Sequence, residues 1–479
     1  MTPNDISSYS KVIVVDLDGT LVLSDTLHES ILLLLKQTSV SILFMPFWLF
    51  LGKAAFKSKL AESVALNVDL LPYNQELIEW LIKQRASGKK IVLSTAADYR
   101  IANAVAQHLG LFDQVFASEG KNNNAGSNKR MLLDQRLGSN SWDYAGNSKV
   151  DLDVWRAANH AIVVNADDII VKKANQIGNV RLVIPPIAVT PDVWLKVIRM
   201  HQWLKNLLLF IPLLAAHQIS DFDAMTTLLI AFISFSFCAS AVYIANDLLD
   251  LDSDRQHPRK RLRAFARGIV PIKAGFFLAL TLAFLSLFMS LAVGSDFTAW
   301  LLFYFAVTTA YSLWLKKLVL VDCLTLAGLY TIRVVAGAAA VSVTLSFWLL
   351  AFSVFIFLSL AFVKRFAELD TQIEAGSNKA HGRGYLVSDK SLIQTLGVTA
   401  GYAAALVLAL YLQSDSVLAL YSQPKLIWLA VPLMLFWVSW IWMKAHRGQM
   451  HDDPIVFAIN DKVSLSVAAL IVLCFLMAI

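Results

Sequence analysis

The chain has 479 residues, of which 57% are apolar and only 16% are charged, with a formal net charge of +6. This length allows two or more domains, and this composition excludes an ordinary soluble protein. The three cysteines lie in or beside apolar runs without paired or metal-ligand spacing, so we expect neither a disulfide framework nor a zinc site.

Apolar residues are unevenly distributed along the chain. Up to about Asp192 charged, polar and apolar segments alternate, whereas long apolar runs follow Trp194. The start of the sequence lacks a basic segment followed by an apolar one, so no secretory signal is expected and the front half should stay in the cytoplasm. We predict a soluble domain over 1–183, a proline-punctuated linker over 184–193 and a membrane domain over 194–479.

The first predicted strand, "KVIVVDLDGTL", ends in Asp16 and Asp18 and a glycine turn. Later strand-like segments, "KKIVLSTAAD" and "AIVVNADD", alternate with helical ones such as "RIANAVAQHLG". This alternation predicts a parallel α/β sheet, whose functional side chains lie at the carboxyl ends of the strands. Alternate side chains of an extended segment share a face, so both aspartates can reach one phosphoryl group.

The order of "DLDGT", "LSTAAD", "GSNKR" and "GNSKVD" resembles the haloacid dehalogenase (HAD) phosphohydrolase superfamily over roughly residues 10–180. The resemblance implies a Rossmann-like α/β domain with a helical cap. It also implies Asp16 as the phosphoryl-accepting nucleophile, Asp18 as acid/base, Thr95 as phosphoryl-binding hydroxyl (with Ser94 the competing choice) and Lys129 as the neutralising cation. Magnesium would be held by Asp16, Asp18, Asn147 and Asp151.

Asn147 departs from that superfamily's pattern, which has aspartate after the glycine. An amide carbonyl can hold Mg²⁺ or its water without supplying charge, so we expect weaker metal binding. The alternative to a working phosphatase is a HAD-like scaffold that has lost catalysis.

An insert of roughly residues 24–80 occupies the position of the cap. It contains "SVSILFMPFWLFLG" (39–52), which is too short to span a bilayer easily and is followed by Lys53, Lys57 and Lys59. The aromatic residues around this segment favour docking on the membrane surface over burial in the cap core.

Nine apolar spans of near-membrane length follow the linker. We place them at 198–217, 224–245, 274–293, 298–314, 319–341, 346–363, 396–413, 426–443 and 463–479. Seventeen lysines and arginines fall in the loops after the even-numbered spans, against Lys425 alone in the opposite loops. We therefore expect an inner-membrane protein whose basic loops and N-terminal domain lie on the cytoplasmic side. This charge pattern, together with anionic ligands, accounts for the net positive charge without nucleic acid.

The second span ends in "NDLLDLDSD" (Asn246 to Asp254). On one continuous helix Asp247, Asp250 and Asp254 would lie within roughly a 60° arc, suited to binding Mg²⁺ and a diphosphate. The alternative is a solvated acidic helix end that the following basic segment neutralises.

Asp322 and Arg333 are predicted to share one face of the fifth span, and an arginine so deep in a membrane helix suggests a functional site. A structural ion pair between Arg333 and an acid on a neighbouring helix is the alternative. Lys364 and Glu368 have i, i+4 spacing, which often serves only to support a helix.

The spans with "NDLLDLDSD" resemble the UbiA prenyltransferase superfamily over roughly 195–479, although Leu326 stands where a second aspartate of its second motif is usual. "RMHQWLKN", "NDLLDLDSDRQHPRKRLR", "YSLWLKKLVLVD", "LYTIRVVAG", "KRFAEL" and "GRGY" resemble its decaprenyl-phosphate phosphoribosyltransferase branch. That resemblance implies a nine-helix bundle, phosphoribosyl pyrophosphate (PRPP) and a polyprenyl phosphate as substrates, and Mg²⁺ held by Asp247, Asp250, Asp254 and Asp322. The implied substrate-binding residues are Lys205, Asn206, Asn246, Arg261, Tyr311, Lys316, Arg333, Lys364 and Arg383.

The two resemblances fit consecutive reactions. Transfer from PRPP would leave a 5-phosphate on the lipid-linked ribose, and a HAD phosphatase removes groups of this kind. Two rivals remain: an aromatic prenyltransferase using an allylic diphosphate, with an unrelated or regulatory HAD domain, and a lipid-binding membrane protein with an inactive HAD domain.

Overall fold

The structure is a computed structural model that describes residues 10–37, 41–120, 122–374, 383–413, 421, 423–450 and 453–478. Predicted features that fall partly outside these ranges include Lys379 of a basic loop, Gly382 of "GRGY", residues 38–40 of the insert, and Ile479 at the end of the ninth span. The chain divides into two compact units, Met1–Val197 with Ile244–Leu278, and Ile198–Tyr243 with Ala279–Ile479. The first unit therefore contains the predicted N-terminal domain together with the "NDLLDLDSD" segment.

A six-stranded sheet forms the centre of the first unit. Its strands are β1 Val12–Val15, β2 Lys90–Asp98, β3 Gln114–Ser118, β4 Trp142–Gly146, β5 Ala161–Val164 and β6 Val180–Ile184. They lie in the order β3-β2-β1-β4-β5-β6, and every neighbouring pair is parallel. The predicted parallel α/β sheet is thus confirmed.

Strand β1 shows why the sheet is buried on both faces. Ile13 and Val15 pack into one apolar core and Val14 into the other, because successive side chains of a strand point to opposite faces. Trp142 and Tyr144 of β4 join the same core as Val14. This two-sided burial accounts for the nearly continuous β-branched run of β1.

Twelve α-helices belong wholly or partly to the described part of the first unit. They are α1 Thr26–Lys36, α2 Ser41–Phe50, α3 Lys53–Ser63, α4 Gln75–Ala86, α5 Tyr99–Leu109, α6 Ser127–Leu137, α7 Leu152–Ala157, α8 Asp168–Asn175, α9 Pro191–Val197, and, from the later segment, the end of α11 Phe222–Leu249 and all of α12 Leu251–Gln256. The helix α13 Ile272–Val293 also begins in this unit. Short 3₁₀ helices occur at Val68–Leu70, Lys149–Asp151 and Lys260–Leu262.

The insert forms α1, α2 and α3. Leu34, Phe56 and Leu60 are buried in a small core that is separate from the cores on the two faces of the sheet. The opposite side of α2 leaves Phe47 66% exposed and Phe50 89% exposed. One face of the segment is thus cap core and the other is an apolar surface.

The second unit is helical throughout its described part. It contains most of α11 and α13 with α10 Ile211–Ala215, α14 Ser295–Leu313, α15 Val321–Ala340, α16 Phe347–Glu374, α17 Lys390–Tyr411, α18 Pro424–Ile427, α19 Ala430–His446, α20 Pro454–Asn460 and α21 Lys462–Ala478. Further 3₁₀ helices lie at Met200–Phe210, Leu315–Lys317 and Val387–Asp389. The main core of this unit is built by α15, α16, α17 and α19.

Within the described residues, six helices are long and apolar enough to cross a membrane, or seven if α20 and α21, which meet at an 80° bend, form one broken span. The predicted count of nine is not confirmed and stays a prediction. The first predicted span begins as the 3₁₀ helix Met200–Phe210 and continues as the short α10. The fourth corresponds to α14.

Candidate active sites

A cavity of about 660 Å³ opens in the first unit at the carboxyl edge of the sheet. The strand order reverses at β1, with β2 and β3 on one side and β4 to β6 on the other, which is where open α/β sheets bind ligands. All six residues predicted for the phosphatase site line this cavity. They are Asp16, Asp18, Thr95, Lys129, Asn147 and Asp151.

Lys129 connects the nucleophile candidate to the last motif. Its Nζ lies 2.7 Å from Asp16 Oδ1 and donates a second hydrogen bond, also of 2.7 Å, to the hydroxyl of Tyr144. That hydroxyl in turn donates to Asp151 Oδ1 at 2.8 Å. Lys129 is 3% exposed, so the buried chain places a positive charge against one oxygen of Asp16 while the other oxygen makes no contact with Lys129.

Asp151 shapes the turn that carries Asn147. Its Oδ2 accepts hydrogen bonds from the backbone N–H of Asn147 (3.1 Å) and from the N–H and hydroxyl of Ser148 (2.9 and 2.8 Å). With Tyr144 on Oδ1, both carboxylate oxygens already have protein donors. Asp151 therefore orients Tyr144 and the Asn147 turn, and its predicted contact with Mg²⁺ stays a prediction.

Asn147 also packs against the turn after β1. Gly19 has a φ of +75°, and a Cβ there would lie 2.0 Å from Asn147 Nδ2. Only glycine permits this approach. The Asn147 amide therefore lies at the cavity, directly against the turn that carries Asp18.

Burial raises the pKa of Asp16 to about 6, with Lys129 opposing the rise and Asp151 adding to it. Burial likewise raises the pKa of Asp18 to about 7, helped by the nearby charge of Asp25 and opposed by the Thr26 backbone hydrogen bond. In both carboxyl groups burial is the largest cause of the raised pKa, because it disfavours the charged form. Lys129 supplies a positive charge to Asp16, whereas no cation of the described residues is among the main groups that oppose the raised pKa of Asp18.

Of the two candidate hydroxyls, Thr95 lines the cavity. Ser94 is completely buried, and its hydroxyl accepts a hydrogen bond from Asn124 Nδ2 at 3.3 Å. The geometry favours Thr95 as the residue that reaches a phosphoryl group.

The acidic segment of the first unit differs from the single helix that its spacing suggests. Helix α11 ends at Leu249 and α12 begins at Leu251, so Asp250 forms the joint. Arg263 Nη1 lies 2.9 Å from Asp247 Oδ1 and 2.6 Å from Asp254 Oδ2. Asp250 Oδ1 instead lies 3.3 Å from Lys36 Nζ of α1.

Asp247 and Asp254 are 6% and 2% exposed and converge on one guanidinium nitrogen. Two buried carboxylates that share a single cationic atom fit the donor set of a divalent ion. Asp250 is not brought to the same point. No group of three or more His, Cys, Asp or Glu side chains in the described ranges forms a ligand cluster, so both metal assignments remain predictions.

In the second unit, Asp322 is completely buried among cations. Its Oδ2 lies 2.7 Å from Arg365 Nε, and its Oδ1 lies 3.4 Å from Arg383 Nη1 and accepts a 3.0 Å hydrogen bond from the Tyr311 hydroxyl. Glu368 pairs with both Arg365 and Arg383. Asp322 therefore holds two arginines in place, and its predicted role as a metal ligand stays a prediction.

A second buried carboxylate, Asp453, was not predicted from the sequence. Its Oδ2 lies 2.6 Å from Lys205 Nζ and 3.3 Å from Lys364 Nζ, and both its oxygens lie 3.1 Å from the Tyr330 hydroxyl. It also caps α20 by accepting from the Ile455 N–H. The predicted residues Lys205 and Lys364, 159 positions apart, are thus brought together by an acid near the end of the chain.

Arg333 is 4% exposed and has neutral partners. Its Nε donates to Asn206 Oδ1 and its Nη2 to the Tyr304 hydroxyl, each at 2.9 Å. Its Nη1 donates to the carbonyl of Leu329 one turn earlier. No carboxylate of the described residues lies within ion-pair distance of Arg333. A network of hydrogen bonds to neutral groups therefore stands in place of the structural ion pair that was the alternative.

The remaining predicted substrate residues lie nearer the surface. Arg261 is exposed and Asn246 half-buried in the first unit, and Lys316 is half-buried in the second.

Comparison with known proteins decides the family. The model of the UbiA prenyltransferase family matches residues 207–477, which is more than half of the chain. The chain belongs to the UbiA prenyltransferase family. With its long apolar helices, this UbiA-family enzyme is a multi-pass membrane protein.

Two relatives of this UbiA-family chain differ in how much of it they cover. The uncharacterized protein y4nM of Sinorhizobium fredii is 35% identical over 469 residues, covering 97% of this chain and 90% of its own length. The decaprenyl-phosphate phosphoribosyltransferase of Mycolicibacterium smegmatis is 34% identical over 213 residues, covering 43% of this chain and 66% of its own length. The similarity to y4nM thus extends over both units.

Solved structures show weaker likenesses, which concern the fold alone. A UbiA homologue from Archaeoglobus fulgidus bound to GPP and Mg²⁺ is 14% identical, covers 59% of this chain and 99% of its own, and has a TM-score of 0.45. The HAD family hydrolase t0658 from Salmonella enterica serovar Typhi is 16% identical, covers 37% and 68%, and has a TM-score of 0.27.

Proposed function

We propose that this UbiA-family protein is a bifunctional membrane enzyme. Its UbiA-type domain transfers 5-phosphoribose from PRPP to a polyprenyl phosphate and releases pyrophosphate. Its HAD-like domain then hydrolyses the 5-phosphate, giving polyprenyl-phosphoryl-ribose and inorganic phosphate. The observation that carries the pairing is the Lys129–Asp16 contact of 2.7 Å in a cavity, because prenyl transfer to an aromatic acceptor leaves no phosphomonoester for such a site.

The transfer step is supported by 34% identity to decaprenyl-phosphate phosphoribosyltransferases and by the buried basic groups of the second unit. Lys205 and Lys364 share Asp453, and Arg365 and Arg383 share Asp322. Held side chains of this kind can bind phosphate groups without reorganising. Mg²⁺ held by Asp247 and Asp254 would neutralise the departing pyrophosphate.

The phosphatase step assigns one task to each residue of the first cavity. The oxygen of Asp16 that does not contact Lys129 attacks phosphorus, forming an acyl phosphate as the ester bond to the ribose 5-oxygen breaks. Asp18, whose pKa is raised to about 7, gives its proton to that oxygen and then takes one from the attacking water. Lys129 and the Thr95 hydroxyl hold the phosphoryl oxygens. Mg²⁺ bound by Asp16, Asp18 and Asn147 would offset the repulsion between carboxylate and phosphate.

Location follows from charge and apolar surface. The seventeen-to-one distribution of basic residues supports an inner-membrane protein with nine spans, its N-terminal domain and both active sites on the cytoplasmic side. Phe44, Phe47, Phe50 and Leu51 form an exposed apolar face, the α2 face, which docks on the same membrane surface. A docked cap brings the phosphatase cavity to a lipid-borne substrate.

The test uses the purified full chain with Mg²⁺, PRPP and decaprenyl phosphate, and identifies the lipid products by mass spectrometry. The intact protein should yield decaprenyl-phosphoryl-ribose, and Asp16→Asn should accumulate its 5-phosphate. Asp153→Asn, at an exposed ion pair with Arg156, is the matched control.

Three outcomes would contradict parts of the proposal. The 5-phosphorylated lipid from every variant would remove the phosphatase step. No ribosyl lipid from folded protein would remove the phosphoribosyl step. Product from an allylic diphosphate and an aromatic acceptor instead would assign an aromatic prenyltransferase.

A further inference from the structure

We propose that Lys273 binds the second phosphate of the phosphatase substrate, so that the first cavity is specific for a sugar carrying two phosphates. The inference rests on the proposed function. It assigns to the cavity a residue from the segment 244–278, which lies in the UbiA-like part of the sequence but folds into the first unit.

A buried ion pair fixes this segment against the cap. Arg255 donates from Nη1 to Glu29 Oε2 at 2.8 Å and from Nη2 to Glu29 Oε1 at 2.6 Å. The two side chains are 6% and 2% exposed. Arg255 Nε also donates to the carbonyl of Ala266, which ties the pair to the loop leading towards Lys273.

The loop itself packs closely on the HAD-like domain. Gly268 has a φ of +70°, and a Cβ there would lie 2.8 Å from Leu23 Cβ and 3.1 Å from Pro72 Cγ. From this contact the chain continues through Ile269 and Pro271 along the wall of the cavity to Lys273. The wall is therefore a fixed part of the cavity.

The three lysines that line the cavity differ in their contacts with the protein. Lys129 is held by Asp16 and Tyr144, and Lys57 donates to the carbonyl of Ala96 at 2.7 Å. Lys273 is exposed, and no carboxylate of the described residues lies within 4.0 Å of its amine. It is thus a lysine of the lining whose charge is available to a ligand.

The chemistry of the proposed substrate requires such a charge. Phosphoribosylated polyprenyl phosphate carries a phosphomonoester at the ribose 5-position and a phosphodiester at the anomeric carbon. With the monoester at Asp16 and Lys129, the diester lies one ribose away and needs a separate cation. Lysine serves well there, because its ammonium binds phosphate as a point charge.

The experiment compares two soluble probes with the full chain in detergent: ribose 1,5-bisphosphate, with a phosphate at each position, and ribose 5-phosphate, with one. The readout is the ratio of their kcat/KM values for phosphate release at the 5-position. Lys273→Ala should lower this ratio roughly five- to tenfold, the value of one partly screened ion pair. Lys273→Arg should retain most of it, and Lys172→Ala is a matched surface control.

The result separates failure of this inference from failure of the proposed function. An unchanged ratio in Lys273→Ala, with both probes hydrolysed, would overturn the role of Lys273 and leave the phosphatase in place. Equal loss on both probes would mean that Lys273 acts on the cavity as a whole, which also overturns it. Hydrolysis of neither probe by the unmodified protein, with ribosyl lipid retaining its 5-phosphate, would overturn the proposed phosphatase and this inference with it.

Discussion

The ion pair between Glu29 and Arg255 offers a direct test of the first unit. Replacing Glu29 by alanine leaves a guanidinium that is 6% exposed without its bidentate partner. Removal of one member of a buried pair costs about 3–5 kcal/mol, because the remaining charge stays out of water. Glu29→Ala should destabilise the first unit by about this amount, a large fraction of the stability of an ordinary domain.

The assay is pulse proteolysis of the full chain in detergent over a urea series, following loss of the intact band. A double-mutant cycle with Arg255→Ala isolates the pair, since the second substitution removes the stranded charge and should recover part of the loss. Asp153→Ala breaks an exposed pair and should cost no more than about 1 kcal/mol. Equal midpoints for Glu29→Ala and Asp153→Ala would refute the burial argument.

Three further predictions concern the other charged and apolar groups. Asp453→Asn removes the charge shared by Lys205 and Lys364, so its monodisperse yield in size-exclusion chromatography should fall well below that of Asp461→Asn; equal yields would contradict the network. A polarity-sensitive fluorophore on Phe47→Cys should shift to the blue in anionic nanodiscs, whereas one on Ile169→Cys, at an equally exposed position, should not; parallel behaviour would exclude docking of the α2 face. Burial raises the pKa of Asp18 from 3.8 to about 7, so its carboxylate costs stability as pH rises through this window and the cost is absent below it. In EDTA, Asp18→Asn should therefore be more stable than the unmodified protein at pH 8 but not at pH 4, and no gain at pH 8 in urea unfolding would contradict the shift.

The first cavity was largely predictable from sequence because parallel strands impose a simple rule. Polar residues that follow β-branched runs must meet at one edge of the sheet, whatever their separation along the chain. Asp16 follows β1, Thr95 lies in β2 and Asn147 follows β4. All three residues line the cavity. Only the family resemblance added Lys129, which lies in the helix α6.

The partners of these residues could not be predicted in the same way. Tyr144 lies in a strand, where its sequence context predicts an ordinary core residue. Its hydroxyl nevertheless joins Lys129 to Asp151. Asp453 precedes a short proline-initiated helix, and its distance of 248 positions from Lys205 hides their pairing. An acid directly before proline at the start of a membrane helix was the available signal, because an isolated charge there requires a partner.

The acidic segment shows why its spacing alone misassigned the geometry. Facial spacing at i, i+3 and i+7 assumes a single helix, but the joint at Asp250 turns that residue towards Lys36 while Asp247 and Asp254 share Arg263. The alternative interpretation, in which the following basic segment neutralises an acidic helix end, therefore describes the pairing of Arg263 with Asp247 and Asp254.

Neutralisation by Arg263 and a role in binding Mg²⁺–diphosphate are compatible. A divalent ion at Asp247 and Asp254 would take the position of the Arg263 guanidinium, and a diphosphate bound to that ion offers the guanidinium a new anionic partner. Every charge stays paired in this exchange. Without Arg263, the buried carboxylates of Asp247 and Asp254 would lack this cation before the substrate binds. Arg263 and Lys36 thus supply in the free protein the positive charge that the proposed metal would supply in the complex, just as Lys129 does for Asp16.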